Sequence, residues 1–137
     1  MVSFFYFQDK PGLQDLETIK KGVDCCLFIM SSRNAINEEL VKDQLPEISY
    51  NISADYHNLM FTAYEPEKPV PFEAFRGSIN FCRELNILAP VNSIIIGQDL
   101  RDIAQHIPVE KGNHFEKLED YQYQKKSSYP IYRLDKI

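Results

Sequence analysis

Two short stretches of the chain are almost continuously apolar, and they constrain the fold more than any other feature. They cover residues 23–30 and 91–96, and the second ends at Gly97. A run of this length suits a strand that is covered on both faces, because a strand with one wet face would alternate apolar and polar residues. We therefore predict a sheet in which both runs are buried central strands.

The N-terminal part of the chain predicts a strand and a helix ahead of the first run. Residues 2–8 are rich in aromatic and β-favouring side chains, and a turn-forming cluster at 9–12 follows them. Apolar residues then recur at helical spacing over 13–22, with acidic residues early and lysines late, as the helix dipole favours. With the run at 23–30, the first thirty residues therefore predict a βαβ unit.

The next segment predicts a helix followed by a hairpin. Apolar residues at 36, 40, 41 and 45 mark one face of the helix, and Pro46 ends it. Residues 47–53 alternate apolar and polar, residues 58–64 form another candidate strand, and a short connection joins the two, which predicts an antiparallel hairpin. Three prolines in residues 65–71 predict an exposed, stiff loop.

Two further helices flank the second apolar run. Phe72, Phe75, Ile79 and Cys82 begin a helical stripe that reaches residue 88 and predicts the longest helix. A final helix follows Gly97, with Asp99 as its cap and Pro108 as its end. The junction at 97–99, where a strand meets a helix N-terminus, could hold an anion.

The chain as a whole predicts one α+β domain with a single-layer mixed sheet of about five strands and about four helices. Residues 1–109 would form the mixed α/β core, and residues 110–137 a polar, tyrosine-rich extension packed on the same domain. Residues 119–124 and 129–134 flank a polar stretch, which predicts a C-terminal hairpin, with a partly disordered tail as the alternative.

The charge distribution limits the classes of partner that the protein is expected to bind. The chain has 20 acidic and 15 basic residues; residues 1–109 carry 15 and 9 of them, and residues 110–137 carry 5 and 6. An acidic body without a basic, aromatic stripe argues against nucleic acid and against anionic membranes, and favours a basic protein surface. The sequence shows no bilayer-length apolar run and no signal-peptide pattern, so we expect a cytoplasmic protein with three free thiols.

No motif points to a cofactor, a metal or a catalytic residue, and none is predicted. The five glycines are too dispersed for a phosphate loop, and His57, His106 and His114 have no metal-ligand spacing with the cysteines. Cys25 and Cys26 would point to opposite faces of a strand, and Cys82 would lie in the core.

The leading functional hypothesis is a small acidic protein-binding domain of the inhibitor, immunity or adaptor type that covers a basic surface of its partner. Two groups of side chains are the candidate contacts: the acidic Asp55, Glu65 and Glu67, and the tyrosines Tyr121, Tyr123 and Tyr132. The alternatives are a small cytosolic enzyme using carboxylate or cysteine chemistry, and a homo-oligomeric regulatory domain that binds a ligand between subunits.

Overall fold

A long helix, a short crossover helix and a small mixed sheet make up the fold. The structure is a computed structural model and describes residues 13–56, 76–107, 112–118, 121–123 and 127–136. Within these ranges the elements are α1 (Leu13–Lys42), β1 (Ile52–Ala54), α2 (Arg76–Leu88), β2 (Ile94–Gly97), α3 (Gln98–Ala104), β3 (Asn113–Lys117), β4 (Tyr121–Tyr123), β5 (Ser127–Tyr129) and β6 (Ile131–Lys136).

The main sheet has four strands in the order β1-β2-β6-β3. β1 and β2 are parallel, while β6 is antiparallel to both of its neighbours. α2 lies between β1 and β2 in the chain, as parallel neighbours require a crossover connection. The predicted α+β class with a mixed sheet is thus confirmed; the described residues contain three helices, one fewer than predicted.

Two apolar clusters pack on opposite faces of this sheet. Ile94 and Ile96 point to α1 and α3, while Ile95, between them, points to α2. All four residues of β2 are buried, because side chains alternate along a strand and both faces are covered. The prediction that the second apolar run is a buried central strand is confirmed.

The prediction for the first apolar run is wrong. Residues 23–30 lie inside α1, a single helix of 30 residues that replaces the predicted helix, strand and second helix. Its core side presents Ile19, Val23, Cys26, Leu27 and Met30 to the sheet, which is helical spacing. An apolar run of eight residues fits a strand and a helix equally, and Gly22 alone is too weak a breaker to separate them.

The last part of α1 extends beyond the core. The α1 residues that join the core cluster end at Met30, whereas the helix continues to Lys42. Gln44 adopts a left-handed conformation with φ 57°, and the backbone N–H of Leu45 donates to the Leu40 carbonyl at 2.8 Å, which ends the helix in a Schellman motif. We call residues 33–48 the overhang.

One buried amide holds the overhang together. The side chain of Asn37, 4% exposed, donates to the Ile48 carbonyl at 3.1 Å and accepts from the Ile48 N–H at 2.8 Å. The segment after α1 therefore runs back along the helix before it enters β1. The hydroxyl of Tyr50 also donates to the Ile29 carbonyl, close to the point where the chain reaches the sheet.

β1 begins at Ile52, later than the predicted strand at 47–53, and its described pairing is with a strand distant in the chain. Ile52 aligns with Ile94 and Ala54 with Ile96, so β1 is the parallel neighbour of β2. The proposed partner strand at 58–64 lies outside the described residues, as do the predicted strand at 2–8 and the loop at 65–71. A parallel partner distant in the chain leaves no local turn signal that sequence patterns could detect.

The two later helices are present, with corrections. α2 was predicted to be the longest helix, but among the described helices α1 is longer, with 30 residues against 13. In α2, Phe81 and Leu85 are buried, whereas Ile79 and Cys82 of the predicted stripe are only half-buried; the stripe residues before 76 lie outside the described part. α3 begins at Gln98, so Asp99 is in its first turn and is not its cap.

The C-terminal segment contributes to both sheets. β4 pairs with β5 antiparallel, with Tyr121 opposite Tyr129, which confirms a hairpin in this region. β6 enters the main sheet between β2 and β3, and its Ile131 and Leu134 are buried on opposite faces. In the described part of the chain, no helix combines the length and apolarity that a membrane crossing requires.

Candidate functional site

The carboxyl ends of β1 and β2 bring together several polar side chains predicted from the sequence. Because these strands are parallel neighbours, their ends meet at one edge of the sheet, the position where open α/β sheets commonly place ligands. Asp55 follows β1 and Gly97 ends β2, directly before α3. This edge is the first candidate site, and we call it the strand-end cluster.

The Asp55 carboxylate is the centre of the cluster. Its Oδ1 accepts the backbone N–H groups of Tyr56 at 2.8 Å and of Leu100 at 3.2 Å. Its Oδ2 accepts the hydroxyl of Tyr129 at 2.7 Å, and that hydroxyl in turn accepts the N–H of Asp99 at 3.0 Å. The carboxylate therefore connects β1, the first turn of α3 and β5.

Gly97 makes room for this arrangement. A Cβ atom at position 97 would overlap the Asp55 carboxylate, although the backbone there has ordinary extended angles. The sequence indicated that this junction could hold an anion, and the anion in contact with it is the chain's own Asp55. A carboxylate with three donors is committed to internal contacts, and its role in partner binding stays a prediction.

Tyr129 is held as a neutral donor. Burial raises the pKa of its hydroxyl above the ordinary value, and the neighbouring Asp55 and Asp99 carboxylates act in the same direction. Its ring also meets Phe81 of α2 edge-to-face, with centroids 5.2 Å apart. Sequence reasoning placed Tyr129 at the start of a candidate strand and missed this role, because its partners are 74 and 30 residues away.

Two of the cysteines, Cys26 and Cys82, show little thiolate character. Burial, assisted by the Asp55 charge, raises the pKa of Cys82 to about 11, and burial likewise raises that of Cys26 to about 11. A nucleophilic cysteine needs a lowered pKa, so this environment opposes thiol catalysis at either residue. Cys25 is exposed on α1, so the prediction that Cys25 and Cys26 lie in a strand is wrong.

The predicted tyrosines lie in two different sheets. The hydroxyl of Tyr132 donates to the Gln98 side chain at 2.6 Å, and the Arg101 guanidinium lies 5.2 Å from the centre of its ring. Tyr121 and Tyr123 both belong to β4, in the small two-stranded sheet. Glu65 and Glu67 lie outside the described residues.

The surface beside the cluster is acidic. A shallow depression of about 280 Å³ is lined by Tyr56, Asp99, Asp102 and Ile103. A hydrogen bond from Gln98 lowers the pKa of Asp102, so this carboxylate is charged at neutral pH. Among the residues that the structure describes, no group of three or more histidine, cysteine or acidic side chains is placed to hold a metal ion.

A larger groove lies beneath the overhang and was not anticipated. Its volume is about 490 Å³, and its lining consists of Arg33, Asn34, Asn37, Glu38, Val41, Lys42 and Glu47. The sequence placed Val41 and Leu45 on a buried helical face, yet they are 57% and 51% exposed. Helical periodicity identifies the face that would pack, but it does not show where the sheet beneath that face ends.

Comparison of the chain with protein-family models, with curated proteins and with solved structures finds no match. The candidate sites therefore depend on their own geometry and chemistry.

Proposed function

We propose that this protein is a small acidic protein-binding domain, of the inhibitor, immunity or adaptor type, which covers a basic surface of a partner in the cytoplasm. The observation that carries the proposal is the overhang, where exposed apolar side chains stand among carboxylates. Three free cysteines, of which two have raised pKa values, are compatible with a reducing compartment.

The charge of the overhang favours a basic partner. Residues 33–48 contain four carboxylates against two cations. One of the cations, Lys42, already pairs with Glu39 at 2.6 Å. Glu38, Asp43 and Glu47 are exposed and face solvent beside the groove. A surface of this sign steers a positively charged protein toward it and repels acidic competitors.

The apolar side chains of the overhang favour a protein over a small ion. Val41, Leu45 and Ile48 are 57%, 51% and 39% exposed, and they lie within eight residues of one another. Protein interfaces combine apolar contacts of this kind with a charged rim, and the apolar contacts supply affinity that salt does not screen.

The overhang is also preorganised. α1 runs without interruption from the core into it, and both the Schellman motif and the buried Asn37 amide connect the returning segment to the helix. A surface that is already ordered loses little conformational entropy when it binds. The contacts predicted at Asp55, Glu65, Glu67, Tyr121, Tyr123 and Tyr132 stay candidate contacts outside the overhang.

The proposal is tested by capture from a native cell lysate with three versions of the full chain. The first is wild type. The second replaces the overhang carboxylates (Glu38→Gln, Asp43→Asn, Glu47→Gln), and the third makes the same charge change elsewhere on exposed carboxylates (Asp99→Asn, Asp102→Asn, Glu116→Gln). We expect a basic protein to be retained by the first and third versions and lost by the second.

The captured protein is then purified and its association rate is measured against salt concentration. The rate should fall by about tenfold or more as screening increases, while dissociation changes less. An acidic captured protein, or a rate that is indifferent to salt, contradicts the proposal. Loss of capture in the third version alone would move the binding surface to the strand-end carboxylates.

A further inference from the structure

The side of α1 that faces away from the sheet has a regular pattern of its own. The core side includes Val23, Cys26 and Met30. Half a turn around the helix is a second row, which we call the outer stripe: Lys21, Cys25, Phe28, Ser32, Ala35 and Glu39. Its members are separated alternately by four and three residues, the spacing that keeps one face of a helix against a partner helix.

The outer stripe is open to solvent. Five of its six residues are exposed, and the aromatic ring of Phe28 is 70% exposed. An aromatic side chain on the solvent side of a helix leaves a large apolar area in water, which is unfavourable unless another surface covers it. Small side chains at positions 25, 32 and 35 would allow a second helix to approach closely beside the ring.

The stripe is complementary to itself in one orientation only. Positions 28 and 32, 25 and 35, and 21 and 39 are each symmetric about position 30. In an antiparallel pair that crosses at position 30, Phe28 of one copy lies over Ser32 of the other. Lys21, which pairs with Glu17 of its own chain at 3.0 Å, lies opposite Glu39, which pairs with Lys42 of its own chain at 2.6 Å, so the exposed ion pairs of the two copies adjoin. A parallel pair would instead place Phe28 on Phe28, lysine on lysine and glutamate on glutamate, which like-charge repulsion disfavours.

We propose that two copies of this chain associate through the outer stripes of their α1 helices, antiparallel and with two-fold symmetry. The interface is isologous, so each large–small contact and each ion pair occurs twice. The 18 residue steps from Lys21 to Glu39 span about 27 Å of helix. A contact of this length is small, and we expect a concentration-dependent dimer with a dissociation constant on the order of micromolar.

The dimer and the proposed partner-binding surface use opposite sides of α1. Val41, at the floor of the groove, is 18 residues, or five helical turns, from the buried Val23 and so continues the core side of the helix. The groove therefore stays open in the dimer. Ala35 and Glu39 belong to both the overhang and the outer stripe. Phe28 lies outside the overhang, so Phe28→Glu is the variant that should abolish the dimer and leave partner binding intact.

Sedimentation velocity of the full chain, from low to high micromolar concentration, tests the association. Phe28→Glu should remain monomeric at every concentration. Lys21→Glu and Glu39→Lys should each weaken the dimer by roughly three- to tenfold, because two ion pairs become two like-charge pairs. The double variant Lys21→Glu/Glu39→Lys should restore it. Val91→Glu, which places the same charge at a side chain 72% exposed on another surface, is the control and should behave as wild type.

A disulfide experiment tests the orientation. Ala35→Cys places a new thiol opposite the native Cys25 of the second copy, so mild oxidation should give a covalent dimer. The same substitution combined with Cys25→Ser should not. A wild-type chain that is monomeric at all concentrations contradicts the proposal, and a wild-type chain that oxidises efficiently through Cys25 to Cys25 contradicts the antiparallel arrangement. Capture of the basic partner by Phe28→Glu separates this outcome from failure of the proposed function.

Discussion

The strand-end cluster, which is built on the sheet, differs from the overhang. The two regions use similar residue types in opposite ways. In the strand-end cluster, the Asp55 carboxylate is enclosed by three hydrogen-bond donors, and the nearby apolar side chains of Leu100 and Ile96 are buried. In the overhang, Glu38 and Glu47 are exposed beside Val41, which is 57% exposed. The same helix, α1, contributes to both regions.

This difference separates stability from recognition. A side chain that is surrounded by the fold contributes to its free energy, because removing it leaves a cavity or an unpaired polar group. A side chain that faces solvent contributes little to that free energy and is available to a partner. We therefore expect substitutions in the strand-end cluster to lower stability, and substitutions in the overhang to lower binding while stability is kept.

The largest effect is expected at Gly97. Gly97→Ala adds a methyl group where the Asp55 carboxylate lies, so that carboxylate must give up its donors; we expect a loss of about 3 kcal/mol in the free energy of unfolding. Gly77→Ala is the matched control, because a Cβ there meets nothing within 4 Å and alanine favours the helix. Urea unfolding of both variants checks this, and equal stabilities would mean that the cluster is not tightly packed.

A matched pair of valines tests the comparison directly. Val23 and Val41 lie on the same side of α1, five turns apart, but are 4% and 57% exposed. Val23→Ala should cost about 2 kcal/mol, because buried methyl groups are lost and a cavity remains, whereas Val41→Ala should change stability by less than about 0.5 kcal/mol. Denaturant midpoints at unchanged m-value measure both. A large loss at Val41 would show that the overhang belongs to the core.

A smaller effect is expected at Tyr129. Tyr129→Phe removes the donor to Asp55 and should cost about 1–2 kcal/mol at neutral pH. Because the folded pKa of Tyr129 is raised, its contribution is complete below the unfolded value of about 10 and decreases as the pH rises above it. Wild type should therefore lose stability more steeply above about pH 10 than Tyr129→Phe. Parallel alkaline curves would contradict the raised pKa.

Local patterns were sufficient for several elements. The run at β2, the stripe of α3 and the C-terminal hairpin were predicted because each has a short-range signal: continuous apolar residues, helical spacing or two flanking strand-like segments. The failures involve long-range information. Residues 23–30 lie in a helix that joins the core cluster on one side only, and the parallel partner of β1, about 40 residues away, was not predicted.

The candidate sites show the same division. Asp55 was selected from the sequence as an acidic residue beside a strand, but its partners Leu100 and Tyr129 are 45 and 74 residues distant. The carboxylates and apolar side chains of the overhang were visible in the sequence. Those up to Leu45 were assigned to a packed helix, and Glu47 and Ile48 were assigned to the strand predicted at 47–53. These side chains are exposed because the part of α1 that packs on the core ends at Met30.

By itself, the sequence determined the α+β class, the buried central strand at β2, the acidic net charge and the hairpin near the C-terminus, because composition and short-range periodicity carry these properties. Only the tertiary structure decided that α1 is one helix and that it extends beyond the core it packs on. It also decided that Asp55 accepts a backbone N–H from the first turn of α3. Those outcomes depend on which distant surfaces meet, and a helical stripe has the same pattern whether another surface covers it or solvent does.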